Sequence, residues 1–468
     1  MPEKLIDFTP RLESGEAALA GGQAAAYNVL VTTRGAVRRR PAIVAYSEAP
    51  VTAIDGANAI NGLTSYGATI YATTTGQRVF AVQGGSAANL SITGYESELP
   101  GRNRPTFAHY RTPIIAIATG DVLQKINPLT NVSTRLAGTP PICSQVVSMS
   151  QRLIANEGTS VATQGAFRYS DAGYPEVWDA LRRADTEADP DKIVALRTNM
   201  NELFAFCERS LQIFTPDPNT IFSPQRSRRL GCAAPHSVVE NDETFYWFDP
   251  KRRFVASDGR SFEDISPGIA AVLDGISTVD DCFGYRVAID QFDLMAWTFP
   301  TDSRTFVFQP AGGWSQWSQW VDGIGHQRFP VNAHHYWEDR NVHIVGLTDG
   351  RICKLDVTAS QDIGGTEIKA QVETAYITHD TSATKTCERV TLEIVRGFAS
   401  SGSVSLSYRD DGGSWSIPIV RSLGGDHLQF IHCYSLGTYR QRQWRIEMTD
   451  SADFTLARAV EKFSVGSN

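Results

Sequence analysis

Phe245-Tyr246-Trp247-Phe248 leading into Phe254-Val255, and Leu294-Met295-Ala296-Trp297 leading into Phe306-Val307-Phe308, share one pattern: an apolar run, a polar turn and a second apolar run. Outward from this pair the pattern recurs. Upstream stand Leu203-Phe204-Ala205-Phe206 into Leu211-Gln212-Ile213-Phe214, Leu153-Ile154-Ala155 into Ser160-Val161-Ala162, Ile115-Ala116-Ile117-Ala118 into Val122-Leu123, and Tyr71-Ala72-Thr73 into Arg78-Val79-Phe80. Downstream stands His343-Ile344-Val345 into Ile352-Cys353-Lys354-Leu355. The starts at 71, 115, 153, 203, 245, 294 and 343 lie 38 to 50 residues apart, the length of one four-stranded propeller blade. A four-stranded meander cannot bury both faces alone, whereas blades stacked radially cover one another and leave few open edges. Turns such as Thr75-Gly76, Thr119-Gly120-Asp121, Asp258-Gly259 and Asp349-Gly350 place Gly or Asp where a tight hairpin needs positive φ. The sequence therefore predicts an all-β chain built on a β-propeller of six or seven blades, with the first and last units sharing one blade by strand exchange as one way to close it.

At 468 residues the chain is too long for one compact core. Residues 1–50 read as a non-repeating N-terminal arm, 51–360 as the propeller, and 365–468, where the period breaks, as an antiparallel β-sandwich-like domain. In the arm, the small-residue stretch from Thr9 to Ala26 suits a short helix capped near Ser14 and ended by Gly21-Gly22, followed by a strand over Tyr27–Val31. Within the repeats, a polar segment from Arg182 to Lys192 and a short helix over Ser266–Leu273 interrupt the pattern. In the tail, Val390–Val395, Val404–Tyr408 and Trp444–Met448 alternate as half-buried strands do.

The composition, 42% hydrophobic and 20% charged with 38 Gly and 22 Pro, is that of a soluble β-rich protein. No run of about 18 apolar residues occurs, and Met1-Pro2-Glu3-Lys4-Leu5 lacks the basic start and apolar stretch of a signal peptide, so assembly in a cytoplasm is expected. The seven cysteines are scattered without a Cys-x-x-Cys pair and read as reduced, buried, small apolar residues. A net charge of −8 argues against tight nonspecific binding of nucleic acid, which needs many cations facing phosphate. It is compatible with a wall along which DNA slides without being gripped.

Several stretches together resemble one family. Asn28-Val29-Leu30 with Arg38-Arg39-Arg40-Pro41-Ala42-Ile43, Glu187-Ala188-Asp189-Pro190-Asp191 into Ile193-Val194-Ala195-Leu196, and the Leu203–Phe214 hairpin are similar to the packaged-DNA stabilisation proteins of short-tailed bacteriophages. So are Leu230-Gly231-Cys232-Ala233-Ala234, Ile265-Ser266-Pro267-Gly268-Ile269 and Tyr439-Arg440-Gln441-Arg442-Gln443-Trp444-Arg445. The resemblance implies a structural, non-enzymatic virion protein of the phage tail. In that role it is a hub or nozzle forming a homo-oligomeric, hexameric ring below the portal and the head-to-tail adaptor. The ring retains packaged double-stranded DNA, passes it at ejection without sequence recognition, and stands near tail fibre, spike or needle proteins. A six-membered ring would carry about −48 in total. No cofactor, metal or small-molecule substrate is implied.

The residues themselves leave one rival. A soluble propeller that binds or cleaves glycans would use the aromatic Trp314-Ser315-Gln316-Trp317-Ser318-Gln319-Trp320 run and the acids Asp280, Asp281, Asp290 and Asp293. Against it, the aromatics suit packing between blades, and adjacent acids point to opposite faces of a strand. Tyr408-Arg409-Asp410-Asp411-Gly412-Gly413-Ser414-Trp415 is close to the Asp-box hairpin of sialidase propellers and reads as a turn. His334-His335, with His326 and His343, lack a carboxylate or cysteine at metal-motif spacing and read as hydrogen-bonded or exposed imidazoles. No dinucleotide, P-loop, nucleophile-elbow or zincin motif is present, so no catalytic residue is assigned. Arg38, Arg39 and Arg40 are the one candidate site, as salt-bridge partners of an adaptor or neighbouring subunit, with DNA contact and a solvated face as the alternatives. Arg226-Ser227-Arg228-Arg229 reads as a solvated or intersubunit loop between blades.

Overall fold

The computed structural model describes residues 2–8, 25–90, 92–93, 99, 104–111, 113–158, 163–186, 191–217, 221–310, 312–396, 402–424, 426–448 and 454–466. The helix expected near Ser14, the Ser160–Ala162 run and Glu187–Pro190 lie outside the described residues.

Among the described residues, seven antiparallel four-stranded units make the propeller; in the first six each strand pairs with the next in sequence, and Ile92–Thr93 adds a short parallel strand to the second. Blade 1 spans Ile60–Tyr66 to Ser86–Asn89, blade 2 Thr106–Tyr110 to Val132–Arg135, blade 3 Val146–Met149 to Tyr174–Asp185, and blade 4 Ile193–Asn199 to Ile221–Arg228. Blade 5 runs from Val239–Asn241 to Phe262–Asp264, and blade 6 from Phe283–Ile289 to Gly313–Val321. Blade 7 takes Val331–Trp337, Val342–Leu347 and Ile352–Asp356 from the end of the repeats and borrows its fourth strand, Ala42–Ala45, from the N-terminal stretch. Its first strand also packs on Ile60–Tyr66 of blade 1, so the ring is closed by strand exchange.

Each apolar run that set the period is the second strand of a blade. Its Val, Ile, Leu and aromatic side chains are covered on both faces, as in Thr69–Thr74, Glu202–Cys207 and Phe292–Phe299. Aromatics fill the wedges between blades: Phe206 meets Phe245 and Trp247 edge-on, and Phe254 lies against Trp297 and Trp314. In blade 3 the third strand is Ala166–Asp171, and Arg182–Asp185 continue the fourth strand instead of interrupting the repeat. The short helix is present over Ala270–Asp274.

Beyond the propeller, two sheets face each other. One orders Val29–Val31, Val37–Arg39, Phe454–Val465, Lys385–Arg396 and Leu428–Tyr434. The other continues blade 6 outward from Gly313–Val321 through Ala26–Tyr27, Ala370–Glu373, Arg442–Met448, Ser403–Asp410 and Ile419–Ser422. Val390, Leu392, Ile394, Leu406, Trp444, Ile446 and Leu456 form their shared core, which continues into Trp297, Phe306 and Trp314 of the propeller. The strands expected in the tail are thus the inner faces of this sandwich. The N-terminal stretch is sewn through both bodies: Tyr27 pairs with Gln316 on one side and Gln371 on the other.

Candidate functional site

The first strand of every blade surrounds the axis: Val331–Trp337 packs on Ile60–Tyr66, Thr106–Tyr110 on Val146–Met149, Val146–Met149 on Ile193–Asn199, and Val239–Asn241 on Phe283–Ile289. Between them lies a cavity of about 370 Å³, lined among others by Thr64, Arg104, Arg197, His236, Tyr285 and His335. A wider funnel of about 960 Å³ shares Asn61, Arg104 and His236 with it, so these three mark the neck where the two meet.

Arg104 braces that neck. Its guanidinium donates to the carbonyls of Asn61 (3.0 Å) and Asn332 (2.5 Å), which belong to blades 1 and 7, and lies 3.8 Å over the ring of Phe283 in blade 6. Burial, with Arg328 nearby, pulls its pKa down to about 9. Arg197 donates to Gln145 Oε1 (3.1 Å) and to the Leu196 carbonyl (2.7 Å), and burial lowers its pKa too. The imidazoles are held neutral by burial, and three of them are hydrogen-bonded. His335 Nε2 is 2.8 Å from Ser65 Oγ and its pKa falls to about 4; His334 Nε2 is 3.0 Å from His343 Nδ1; His109 Nε2 is 2.6 Å from Thr64 Oγ1. His236 is likewise pushed well below the ordinary imidazole value by desolvation. Among the described residues no group of three or more His, Cys, Asp or Glu side chains could hold a metal ion.

The three arginines singled out in the sequence sit where the N-terminal stretch crosses from sandwich to propeller. Asn28 starts the crossing with φ 57° and is fully buried. Its Oδ1 accepts the Ser318 N–H (2.8 Å) and Arg40 Nε (2.9 Å), and its Nδ2 donates to the Lys369 carbonyl (2.8 Å). Arg40 is buried against Asp362, with further donation to the carbonyls of Pro41 and Ser318. Arg39 is buried as well. Arg38 donates to the Val357 carbonyl (2.9 Å), pairs with Asp290 at 3.6 Å, and keeps 17% of its side chain exposed.

Against known proteins, the profile of the phage-stabilisation family described as bacteriophage P22 Gp10, beta-propeller, matches residues 46–360, well over half of the chain and every blade strand except the borrowed Ala42–Ala45. The chain belongs to that family. No curated protein matches this phage-stabilisation propeller. Among solved structures it is similar to the computationally designed Ika8 protein, at 11% identity over 66% of this chain and all of that one, with a TM-score of 0.39. It is also similar to the extracellular domain of the putative one-component system BT4673 from B. thetaiotaomicron, at 10% identity over 72% of this chain and 42% of that one, with a TM-score of 0.44.

The remaining residues picked from the sequence take structural places in this phage-stabilisation propeller. Trp314 and Trp317 are buried, Trp317 edge-on to Phe329, while Trp320 donates to Asp322 and carries Lys369 Nζ 4.0 Å over its ring. Asp290 faces Arg38, Asp293 pairs with Arg286 at 2.9 Å, and Asp281 accepts the Thr301 N–H. The Asp-box stretch is a turn with Asp411 and Gly412 at positive φ, but Asp410 departs from the motif by pairing with Arg442 at 2.6 Å. Arg226 and Arg228 lie on the outer strand of blade 4, not on a loop between blades. Arg104, Arg197 and His236 went unnoticed in the sequence, because each is a lone polar residue brought to its neighbours only by ring closure.

Proposed function

We propose that this phage structural protein is a ring-forming hub or nozzle of the tail, extending the DNA channel below the portal and adaptor, retaining the packaged genome and conducting it at ejection. The match to the phage-stabilisation family across residues 46–360 carries this reading. The propeller axis adds a constraint on the path. Its cavity of about 370 Å³, braced by Arg104 and crowded by imidazoles, is of the size that takes a small ligand. A duplex whose major groove alone is about 12 Å wide cannot thread it. DNA therefore passes between subunits of a closed cyclic ring, along a lumen shared by several copies. A surface with net charge −8 per copy suits sliding contact better than a clamp.

Contact with the adaptor or a neighbouring copy through the arginine cluster narrows to Arg38, since Arg39 and Arg40 are buried within the chain. The test of the reading is DNA retention. Particles packaged with and without this chain are compared for DNase-accessible DNA after filling. Loss of DNA from particles lacking the chain, restored by adding it back, supports the hub role; full retention without it removes that role.

A further inference from the structure

The axial cavity gathers positive charge with no carboxylate in its lining among the described residues. Among the described residues, two guanidinium groups (Arg104 and Arg197) and four imidazoles (His109, His236, His334 and His335) line it, and no carboxylate does. The hydrogen bonds of both arginines among the described residues go to carbonyl and amide oxygens, which satisfy donors without cancelling charge. The acids that feel them stand outside: Asp281 lines the funnel beyond the neck, and Glu240 acts on Arg197 without lining the cavity. Two half-buried guanidinium charges with no carboxylate in contact among the described residues are costly to hold, and a bound anion offsets that cost. The neck residues Asn61, Arg104 and His236 join the cavity to the funnel, which supplies an entry path.

We propose that the propeller axis is a binding site for a small phosphate-class oxyanion, held between Arg104 and Arg197. Guanidinium suits this class because its planar fork matches tetrahedral oxyanions in pairs of hydrogen bonds. A bound anion would lock together blades 1, 4, 6 and 7, which contribute Asn61, Arg197, Phe283 and Asn332 around it, and so stiffen the ring of blades. The site needs no second copy of the chain, so it stands or falls apart from the hub reading.

The test is isothermal titration of the purified full-length chain at pH 7 with sodium phosphate and, in parallel, with glycerol 3-phosphate, against sodium chloride at matched ionic strength. One equivalent of phosphate is expected to bind, with affinity falling by about tenfold or more in Arg104→Gln and in Arg197→Gln. Binding of glycerol 3-phosphate alone assigns the site to the phosphate group of a larger molecule. No saturable heat with either, or undiminished affinity in variants that remain folded by circular dichroism, overturns the proposal. Should either variant fail to fold, a density map of the wild-type chain equilibrated with tungstate decides: density between Arg104 and Arg197 supports the site, and its absence there removes it.

Discussion

Arg40 and Asp362 meet inside the chain as a two-pronged ion pair, Nη2 to Oδ2 at 2.6 Å and Nη1 to Oδ1 at 3.0 Å, with 0% and 3% of their side chains exposed. Asp362 Oδ1 also accepts the Ile43 N–H at 2.8 Å, so the pair fastens the borrowed strand of blade 7. Removing one partner strands the other as a buried charge, which costs about 3–5 kcal/mol. We expect Asp362→Asn and Arg40→Met each to lower unfolding free energy by that order in urea titration, and the double replacement Arg40→Met with Asp362→Leu to recover much of the loss. Equal, additive losses would show that the pair is not coupled.

Ring closure rests on Ala42–Ala45, whose Ile43 is fully buried. Truncating Ile43 to Ala should cost about 2–5 kcal/mol through lost transfer energy and the cavity left behind. Hydrogen exchange should then rise first in Ile352–Asp356, the strand it pairs with. Uniform exchange across all blades would argue against this strand as the closing element.

Acid should loosen the axis before the rest. On the axis, burial lowers the His335 pKa to about 4 and holds His236 and His334 well below the ordinary imidazole value, all chiefly by desolvation. An unfolded imidazole titrates near 6.5. Between about pH 6.5 and 4 the unfolded chain therefore binds protons that the folded chain refuses, so stability present above pH 6.5 is lost as pH falls through that window. The slope of unfolding free energy against pH should become shallower in His335→Asn; an unchanged slope would mean that His335 does not titrate on unfolding.

All seven cysteines are buried and unpaired by disulfide, and burial raises their thiol pKa values, Cys207 and Cys353 to about 12. A thiol-reactive dye should label none in the native state and seven in denaturant. Rapid native labelling of even one would place it in a segment that opens easily.

How much was legible follows from where the signals come from. The second strand of each blade announces itself, as Leu203–Phe206 and Leu294–Trp297 do, because a strand covered on both faces must be continuously apolar. The number of blades stayed between six and seven because Ala42–Ala45 and Ile352–Asp356 are three hundred residues apart and nothing local marks their pairing. The arginine cluster was misleading for a related reason. A charge run usually faces water, yet here Arg40 finds Asp362, and Asn28 takes a positive φ, only after the N-terminal stretch is threaded between blade 6 and the sandwich. The axial residues are the extreme case: Arg104 and Arg197 share a cavity because the ring closes, and no spacing along the chain encodes that.

These chains are proposed to form a closed ring with DNA running between subunits. Electron microscopy of intact virions, reconstructed with no symmetry imposed, tests it most directly. The expected map shows a ring of identical propeller subunits, six around the axis, stacked beneath the portal, with DNA density in the shared lumen and none along any propeller axis. A single propeller away from the portal, or duplex density threading the cavity beside Arg104, would contradict it.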